Sequence, residues 1–278
     1  MFKIVEKRYL APQIFLMDIE APRVAKSAKP GQFVVIRLDE EGERIPLTIC
    51  DYDIEKGTVR IVIQAIGCST RKLMDYEKGD LIYDFVGPLG QASEFIHEEV
   101  EELKKKNILF VAGGVGTAPV YPQVKWLNKH GVKADVIIGA RTKELLILEE
   151  EMKEIAGNVY PATDDGTYGF NGRVTDLILD LVNKQGKKYD LVIAIGPMIM
   201  MKFVCKVTEE LGIKTIVSLN PIMVDGTGMC GACRVTVGGK TYFACVDGPE
   251  FDGHKVDFDE AMRRSTMYKK EEQECMSK

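Results

Sequence analysis

The stretch "FVAGGVGTAP" (residues 110–119) is where the chain changes rhythm. "NILFVAGG" reads as a buried strand, and a helix opens at Pro119, in a first turn that needs no N–H. A glycine turn between strand and helix lets the backbone approach a diphosphate, and free N–H groups with the helix dipole favour its charge. Gly114, Gly116, Thr117 and Pro119 are therefore candidate nucleotide-binding residues. The pattern is not G-x-G-x-x-G, and such a turn is also glycine-rich where packing alone demands it.

Working outward, the segments after residue 107 alternate between strand and helix. "KADVIIGAR", "YDLVIAIG" and "IKTIVSL" read as strands, with "NVYPATDDG" between two helical stretches. "KELLILEEEMKEIAG", "RVTDLILDLVNKQG" and "PMIMMKFVCKVTEELG" read as those helices. This alternation predicts a parallel sheet covered on both faces. Ligands of such sheets bind beyond the carboxyl ends of the strands, which singles out Arg141, Asp164, Gly196, Pro197 and Met198. Arg141 tilts the reading towards a 2′-phosphate, and a solvated Arg beside Glu144 accounts for it equally well. The Met run at 198–201 also suits an apolar helix face.

Before residue 98 the reading is all-β. "QIFLMDIEA", "GQFVVIRL", "PLTICDYD", "TVRIVIQAIG" and "DLIYDFVG" are short, β-branched or aromatic, and separated by Gly, Pro and acidic turns. Five or six such strands predict a small antiparallel barrel, with the charged, helix-prone "IHEEVEELKKKN" (96–107) at its boundary. The expected layout is a barrel over 1–97, a nucleotide domain over 98–219, a cysteine module over 220–252 and a polar, partly helical tail over 253–278.

With 278 residues there is room for two cores and a small module. A net charge of −5 with interspersed signs gives no phosphate-tracking stripe, which argues against nucleic acid as a partner. The longest apolar run, "LVIAIGPMIMM" (191–201), is too short to span a bilayer, and the amino terminus lacks a signal-peptide core, so a cytoplasmic location is the default. The three histidines are far apart in sequence and support no triad.

Seven cysteines are too few and too uneven for a disulfide scaffold. Cys50, Cys68 and Cys205 read as buried or scattered, and Cys275 as a free thiol in a mobile tail. "DGTGMCGACRVTV" (225–237) holds Cys230 and Cys233, with Cys245 following. Asp225 stands where the plant-type iron–sulfur spacing calls for a fourth ligand. Gly226, Gly228 and Gly231 permit a tight path around sulfides. Asp225, Cys230, Cys233 and Cys245 are the candidate metal ligands, for a [2Fe–2S] cluster in the first place. Zinc would also take three sulfurs and a carboxylate, and an Asp before Gly is a common turn starter.

The order of these motifs resembles the ferredoxin–NADP reductase superfamily, and the cysteine loop narrows this to its iron–sulfur flavoprotein subunits. Among those, the chain is most similar to the small (alpha) subunits of NADH-dependent reduced ferredoxin:NADP oxidoreductase. The electron-transfer subunits of NAD-dependent dihydroorotate dehydrogenase, which carry a cysteine at the position of Asp225, and the hydrogenase gamma subunits are the alternatives. A zinc-stabilised nucleotide-binding protein without redox function is more remote.

The resemblance implies FAD on the barrel. "RIPLT" (44–48) matches the flavin motif, placing Thr48 near the flavin N5 as the catalytic position, Pro46 and Leu47 along the ring and Arg44 towards the diphosphate. Ile45 stands at the motif's usual Arg position. "VIQAIGCST" (62–70) matches the second flavin element, with Ile63, Gln64, Gly67, Ser69 and Thr70, and "GPLG" (87–90) the turn that ends the barrel. Ile195 stands where the family often has a cysteine before the "GP" turn, which removes a thiol from hydride transfer. The implied function is electron transfer between NAD(H) or NADP(H), FAD and the [2Fe–2S] cluster. Its partner would be a larger flavoprotein and iron–sulfur subunit in a bifurcating heterodimer that serves ferredoxin.

Overall fold

The computed structural model describes residues 1–277. Strands β1 (Phe2–Ala11) and β2 (Ile14–Glu20) precede helix α1 (Pro22–Ser27), β3 (Phe33–Arg37), β4 (Ile45–Asp53) and β5 (Thr58–Gln64). Helix α2 (Cys68–Met74), β6 (Leu81–Ile82) and β7 (Asp84–Leu89) follow. These seven strands form one antiparallel sheet in the order β6-β1-β2-β5-β4-β3-β7. Its edge strands β6 and β7 are consecutive across Tyr83, so the sheet curls into a nearly closed barrel around Ile4, Phe15, Met17, Ile36, Ile61 and Ile63.

Strand β1 is absent from the sequence reading. Along it only Ile4 is fully buried, so its charged residues hide the alternation. Strand β2 shows the reverse. Phe15, Met17 and Ile19 point into the barrel, while Ile14 and Leu16 point out into a second apolar cluster with Ala118, Ile147 and Leu148. That cluster joins the barrel to the following sheet and explains why β2 lacks a polar face.

The second half begins with the single turn α3 (Val100–Leu103), shorter than the helix-prone 96–107 stretch suggested. It continues with β8 (Ile108–Gly113), α4 (Thr117–Lys129), β9 (Asp135–Ala140), α5 (Glu149–Ile155), β10 (Val159–Thr163) and β11 (Phe170–Asn171). Then come α6 (Val174–Leu179), β12 (Leu191–Ile195), α7 (Met198–Glu210) and β13 (Lys214–Ser218). Helix α5 starts six residues later than "KELLILEEEMKEIAG" suggests. Leu148 takes a left-handed φ of 57°, and Ile147 and Leu148 are drawn into the inter-domain cluster. Burying two side chains there outweighs the helical turns forgone.

Beyond β13 the chain makes a hairpin, β14 (Arg234–Val237) and β15 (Lys240–Phe243), and then β16 (Glu250–Asp252). The second sheet runs β11-β10-β9-β8-β12-β13-β16, parallel except for β16, which adds antiparallel to β13. The polar tail forms α8 (Phe258–Arg264) and α9 (Lys269–Met276), in line with its expected partial helicity.

Candidate active site

In the second sheet the strand order reverses direction between β8 and β12, the switch point at which open parallel sheets take ligands. The two turns that leave these strands press against each other. A Cβ on Gly116 would lie 2.3 Å from the Ile195 carbonyl oxygen, and one on Gly196 would lie 3.0 Å from Gly113 Cα. Packing alone therefore demands glycine at Gly116 and Gly196. Gly114 differs: its φ is 55°, and no atom lies within 4 Å of where its Cβ would be. That residue faces open space at the end of the crevice. The Thr117 hydroxyl donates to the Gly114 carbonyl at 3.0 Å and holds the turn, and Pro119 is buried in the first turn of α4.

Around the crevice lie the other sequence-nominated positions. Arg141 and Asp164 are exposed at the carboxyl ends of β9 and β10, and Asp164 N–H donates to the Ala140 carbonyl at 3.1 Å. Among the described residues no ion pair engages Arg141, including with Glu144. Pro197 precedes α7 and Met198 opens it, while Met200 fills the space that a side chain at Gly113 or Gly196 would need.

On the barrel, Pro46, Leu47 and Thr48 run along β4 opposite Val35, Val34 and Phe33, each half-buried. Arg44 is exposed just before this strand. Gln64 is half-buried, whereas Ile63 is sealed in the barrel core. At the next turn the Thr70 hydroxyl accepts from Gly67 N–H (2.9 Å) and Ile66 N–H (3.1 Å) and donates to the Gly67 carbonyl (3.0 Å). Thr70 thus shapes the turn, and Ser69 beside it lines a cavity of about 810 Å³.

The far wall of that cavity is the carboxyl-terminal helix. Tyr268, Glu271, Glu272 and Cys275 close it against the 39–43 loop, Ser69 and Lys72. Glu272 accepts the Cys68 N–H at 2.7 Å, and Cys275 is disulfide-bonded to Cys68. The expectation of a free Cys275 thiol in a mobile tail is overturned. Nothing in the sequence pairs two cysteines 207 residues apart, since only the fold brings them together.

The cysteine loop owes its spacing to the hairpin. Arg234 pairs with Phe243, so Cys233 and Cys245 flank the open end of β14–β15 and their sulfurs lie 3.2 Å apart. Cys230 stays exposed in the preceding turn, where Gly226, Gly228 and Gly231 have φ of 78°, 88° and 66°. The Asp225 carboxylate accepts from Thr227 (2.6 Å), Cys230 (2.7 Å) and Met229 N–H (3.1 Å). These bonds, the Thr227 N–H first, hold its carboxyl below the usual range, so it stays anionic at neutral pH.

Among the described residues no three His, Cys, Asp or Glu side chains form a single-ion site. A two-iron cluster asks for something different, since its four donors divide between two irons. An anionic oxygen and two thiols on one glycine-rich loop, with the third thiol returned to them by the hairpin, suit that demand. Burial, then the neighbouring Cys233, pushes the Cys245 thiol up to about 12, so metal binding there must displace a proton.

Comparison with known proteins agrees with this layout. Residues 110–206 match the oxidoreductase NAD-binding domain family, and residues 220–257 match the iron–sulfur cluster binding domain of dihydroorotate dehydrogenase B. An uncharacterized Clostridium beijerinckii protein is 68% identical over 98% of this chain and 92% of its own length. A Thermotoga maritima protein, described as a dihydroorotate dehydrogenase B (NAD(+)) electron transfer subunit homolog, is 49% identical over 97% of this chain and 92% of its own. A solved structure of NADH-dependent reduced ferredoxin-NADP oxidoreductase, reported for its flavin-based electron bifurcation, contains a chain 47% identical to this one. It superposes with a TM-score of 0.92, covering 100% of this chain and 97% of that one. The chain belongs to the family of the dihydroorotate dehydrogenase B (NAD(+)) electron transfer subunit and its homologues, oxidoreductase proteins built on the ferredoxin–NADP reductase plan.

Proposed function

We propose that this chain is the electron-transfer subunit of a bifurcating NADH-dependent reduced ferredoxin:NADP oxidoreductase. The observation that carries the reading is the continuity of the second sheet. Its switch-point crevice lies between β8 and β12, and β16, five residues after Cys245, pairs onto β13 beside them. The cysteine loop is thereby joined to the sheet that forms the nucleotide crevice, with the barrel packed on through Ile14, Leu16, Ile147 and Leu148. Full-length likeness to the bifurcating oxidoreductase supports the same choice.

FAD on the barrel supplies the conversion between a hydride's two electrons and the single electrons a [2Fe–2S] cluster accepts. The chain's own residues have three tasks. Gly114 and the first turn of α4 receive the nucleotide phosphates, with Arg141 and Asp164 at the ribose side. Pro46, Leu47 and Thr48 present a half-buried strand to the flavin ring, with Arg44, Gln64, Gly67 and Ser69 towards its phosphates. Asp225, Cys230, Cys233 and Cys245 hold the cluster. Thr48 is the catalytic position, a hydroxyl that orients the reacting flavin face. The chain acts as a ferredoxin–NADP reductase-type enzyme subunit in the cytoplasm, as a heterodimer with a larger flavoprotein and iron–sulfur subunit that meets ferredoxin. The barrel occupies 1–97, the nucleotide domain 98–219 and the cluster module 220–252. No helix among the described residues is long and apolar enough to cross a membrane.

The dihydroorotate-linked reading is favoured by the names of several relatives, and Asp225 in place of a cysteine stands against it. Anaerobic purification from the native host decides between them. One FAD and two irons per chain are expected, with NADH-dependent diaphorase activity and co-purification of a large iron–sulfur flavoprotein. A dihydroorotate-oxidising partner would select the alternative, and zinc without flavin would overturn both.

A further inference from the structure

Ser93 and Gln123, from separate parts of the chain, meet the half-buried Glu250 at the base of a small cavity. Ser93 follows the last barrel strand β7, Gln123 lies on α4, and Glu250 opens β16 after the cysteine loop. Ser93 and Gln123 are fully buried. Glu250 Oε1 accepts from Ser93 Oγ at 2.9 Å and from Gln123 Nε2 at 3.0 Å. The other end of the same amide, Gln123 Oε1, is the single buried side-chain oxygen or nitrogen without a partner among the described residues.

A primary amide and a carboxylic acid form a two-bond ring only when the acid carries its proton. The amide N–H then donates to one carboxyl oxygen while the acid's O–H donates to the amide oxygen. One of these two bonds is present here, and the missing one would satisfy the orphaned Gln123 oxygen. We propose that Glu250 is a positioning residue that holds a proton in the native protein, and that this proton locks the cysteine-bearing segment to α4.

The surroundings favour the neutral acid. Glu250 opens on a cavity of about 130 Å³, which gives protons a route to it. The charged groups around that cavity are Glu94, Glu98, Lys106, Asp190 and Lys214. Lys106 is paired with Glu98, and Lys214 with Glu94 at 3.6 Å, while Asp190 accepts the Asn107 N–H at 2.7 Å. No cation pairs with Glu250 among the described residues, and Glu94 adds repulsion. Burial first, then Glu94, pushes the carboxyl up to about 7 from 4.5, against the pull of Ser93 and Gln123. Because the folded group holds its proton more tightly, the lock is complete below pH 4.5 and weakens as pH rises to about 7. This inference is independent of the electron-transfer reading, since the proton belongs to the fold whatever cofactors are bound.

Glu250→Gln tests it on the full-length protein as isolated. A glutamine donates permanently to the Gln123 oxygen and still accepts from its amide, so it imitates the protonated acid at every pH. In the wild type, hydrogen-exchange protection of the β16 amides, corrected for intrinsic rate, should fall by up to tenfold per pH unit between 4.5 and about 7 and then level off. In Glu250→Gln it should stay flat over that range. Infrared spectra at pH 6 should show a buried carboxylic acid C=O band that the variant lacks. Should Glu250→Gln fail to fold, Ser93→Ala serves instead: it removes a donor to the anion, so the band should persist to higher pH. No carboxylic acid band at pH 6, the same pH response in both proteins, or an unmoved band in Ser93→Ala would overturn the proposal.

Discussion

Asp225 has two readings that a set of substitutions separates. The structure gives it a turn role, since its carboxylate accepts three backbone N–H groups at 2.6, 2.7 and 3.1 Å. Each such bond contributes about 1 kcal/mol net, and the turn is open enough for water to replace part of it. Asp225→Ala should therefore destabilise the metal-free loop by roughly 2 kcal/mol, whichever reading holds. Asp225→Asn keeps one acceptor oxygen for the turn and removes the anionic donor, so its turn cost is about half as large. Asp225→Cys does the reverse: it gives up most of the turn bonds and supplies a thiolate. If Asp225 only shapes the turn, stability should rank wild type, Asn, then Ala and Cys together, and Asn should keep its full iron. If it ligates iron, Asn and Ala should both lose iron, and Cys should retain the cluster at a shifted potential. The assays are iron and sulfide per chain, survival of visible absorbance under a chelator, and EPR of the reduced protein. Asp225→Asn with its full iron, an unchanged EPR spectrum and an unchanged midpoint potential would refute the ligand assignment.

Gly116→Ala should lower the melting temperature and weaken NADH binding while leaving the flavin spectrum intact. Its Cβ would start 2.3 Å from the Ile195 carbonyl, and the turn must yield at a cost of about 1–3 kcal/mol. Wild-type melting and NADH affinity in this variant would show that the two turns are not locked together. NADH should be preferred to NADPH, with Arg141→Ala changing NADH turnover by less than about twofold. A tenfold preference for NADPH, about 1.4 kcal/mol, would show that Arg141 reads a 2′-phosphate. Thiol titration of the metal-free, denatured chain should count five cysteines before reduction and seven after, because Cys68 and Cys275 are joined. Seven from the outset would remove the tether that holds the carboxyl-terminal helix over the Gly67–Thr70 turn.

The sequence by itself determined the fold class and the family. Hydrophobic period is a local property, and it switches at residue 107 from short β segments to alternating strand and helix. "NILFVAGG", "KADVIIGAR" and "YDLVIAIG" are apolar enough to announce strands buried on both faces. Glycines at 113–116 and cysteines at 230, 233 and 245 mark positions where one residue type meets a local demand. Where burial was one-sided and charge dense, the pattern failed. Strand β1 buries only Ile4 fully, and β15 of the hairpin buries no residue fully.

Tertiary structure alone decided what depends on distant segments meeting. The left-handed Leu148 that delays α5 exists because Ile147 and Leu148 find Ile14 and Leu16 across the domain junction. The eleven residues between Cys233 and Cys245 become a hairpin that returns the second sulfur to within 3.2 Å of the first. The carboxyl-terminal helix reaches the barrel turn at Cys68, and Glu250 meets Gln123 and Ser93, through contacts 127 to 207 residues apart. Local propensity extends over a few residues, whereas desolvation acts on whatever the fold brings together. A carboxyl that looks like any surface glutamate in the sequence therefore becomes, in the structure, a half-buried group bonded to Ser93 and Gln123 and paired with no cation among the described residues.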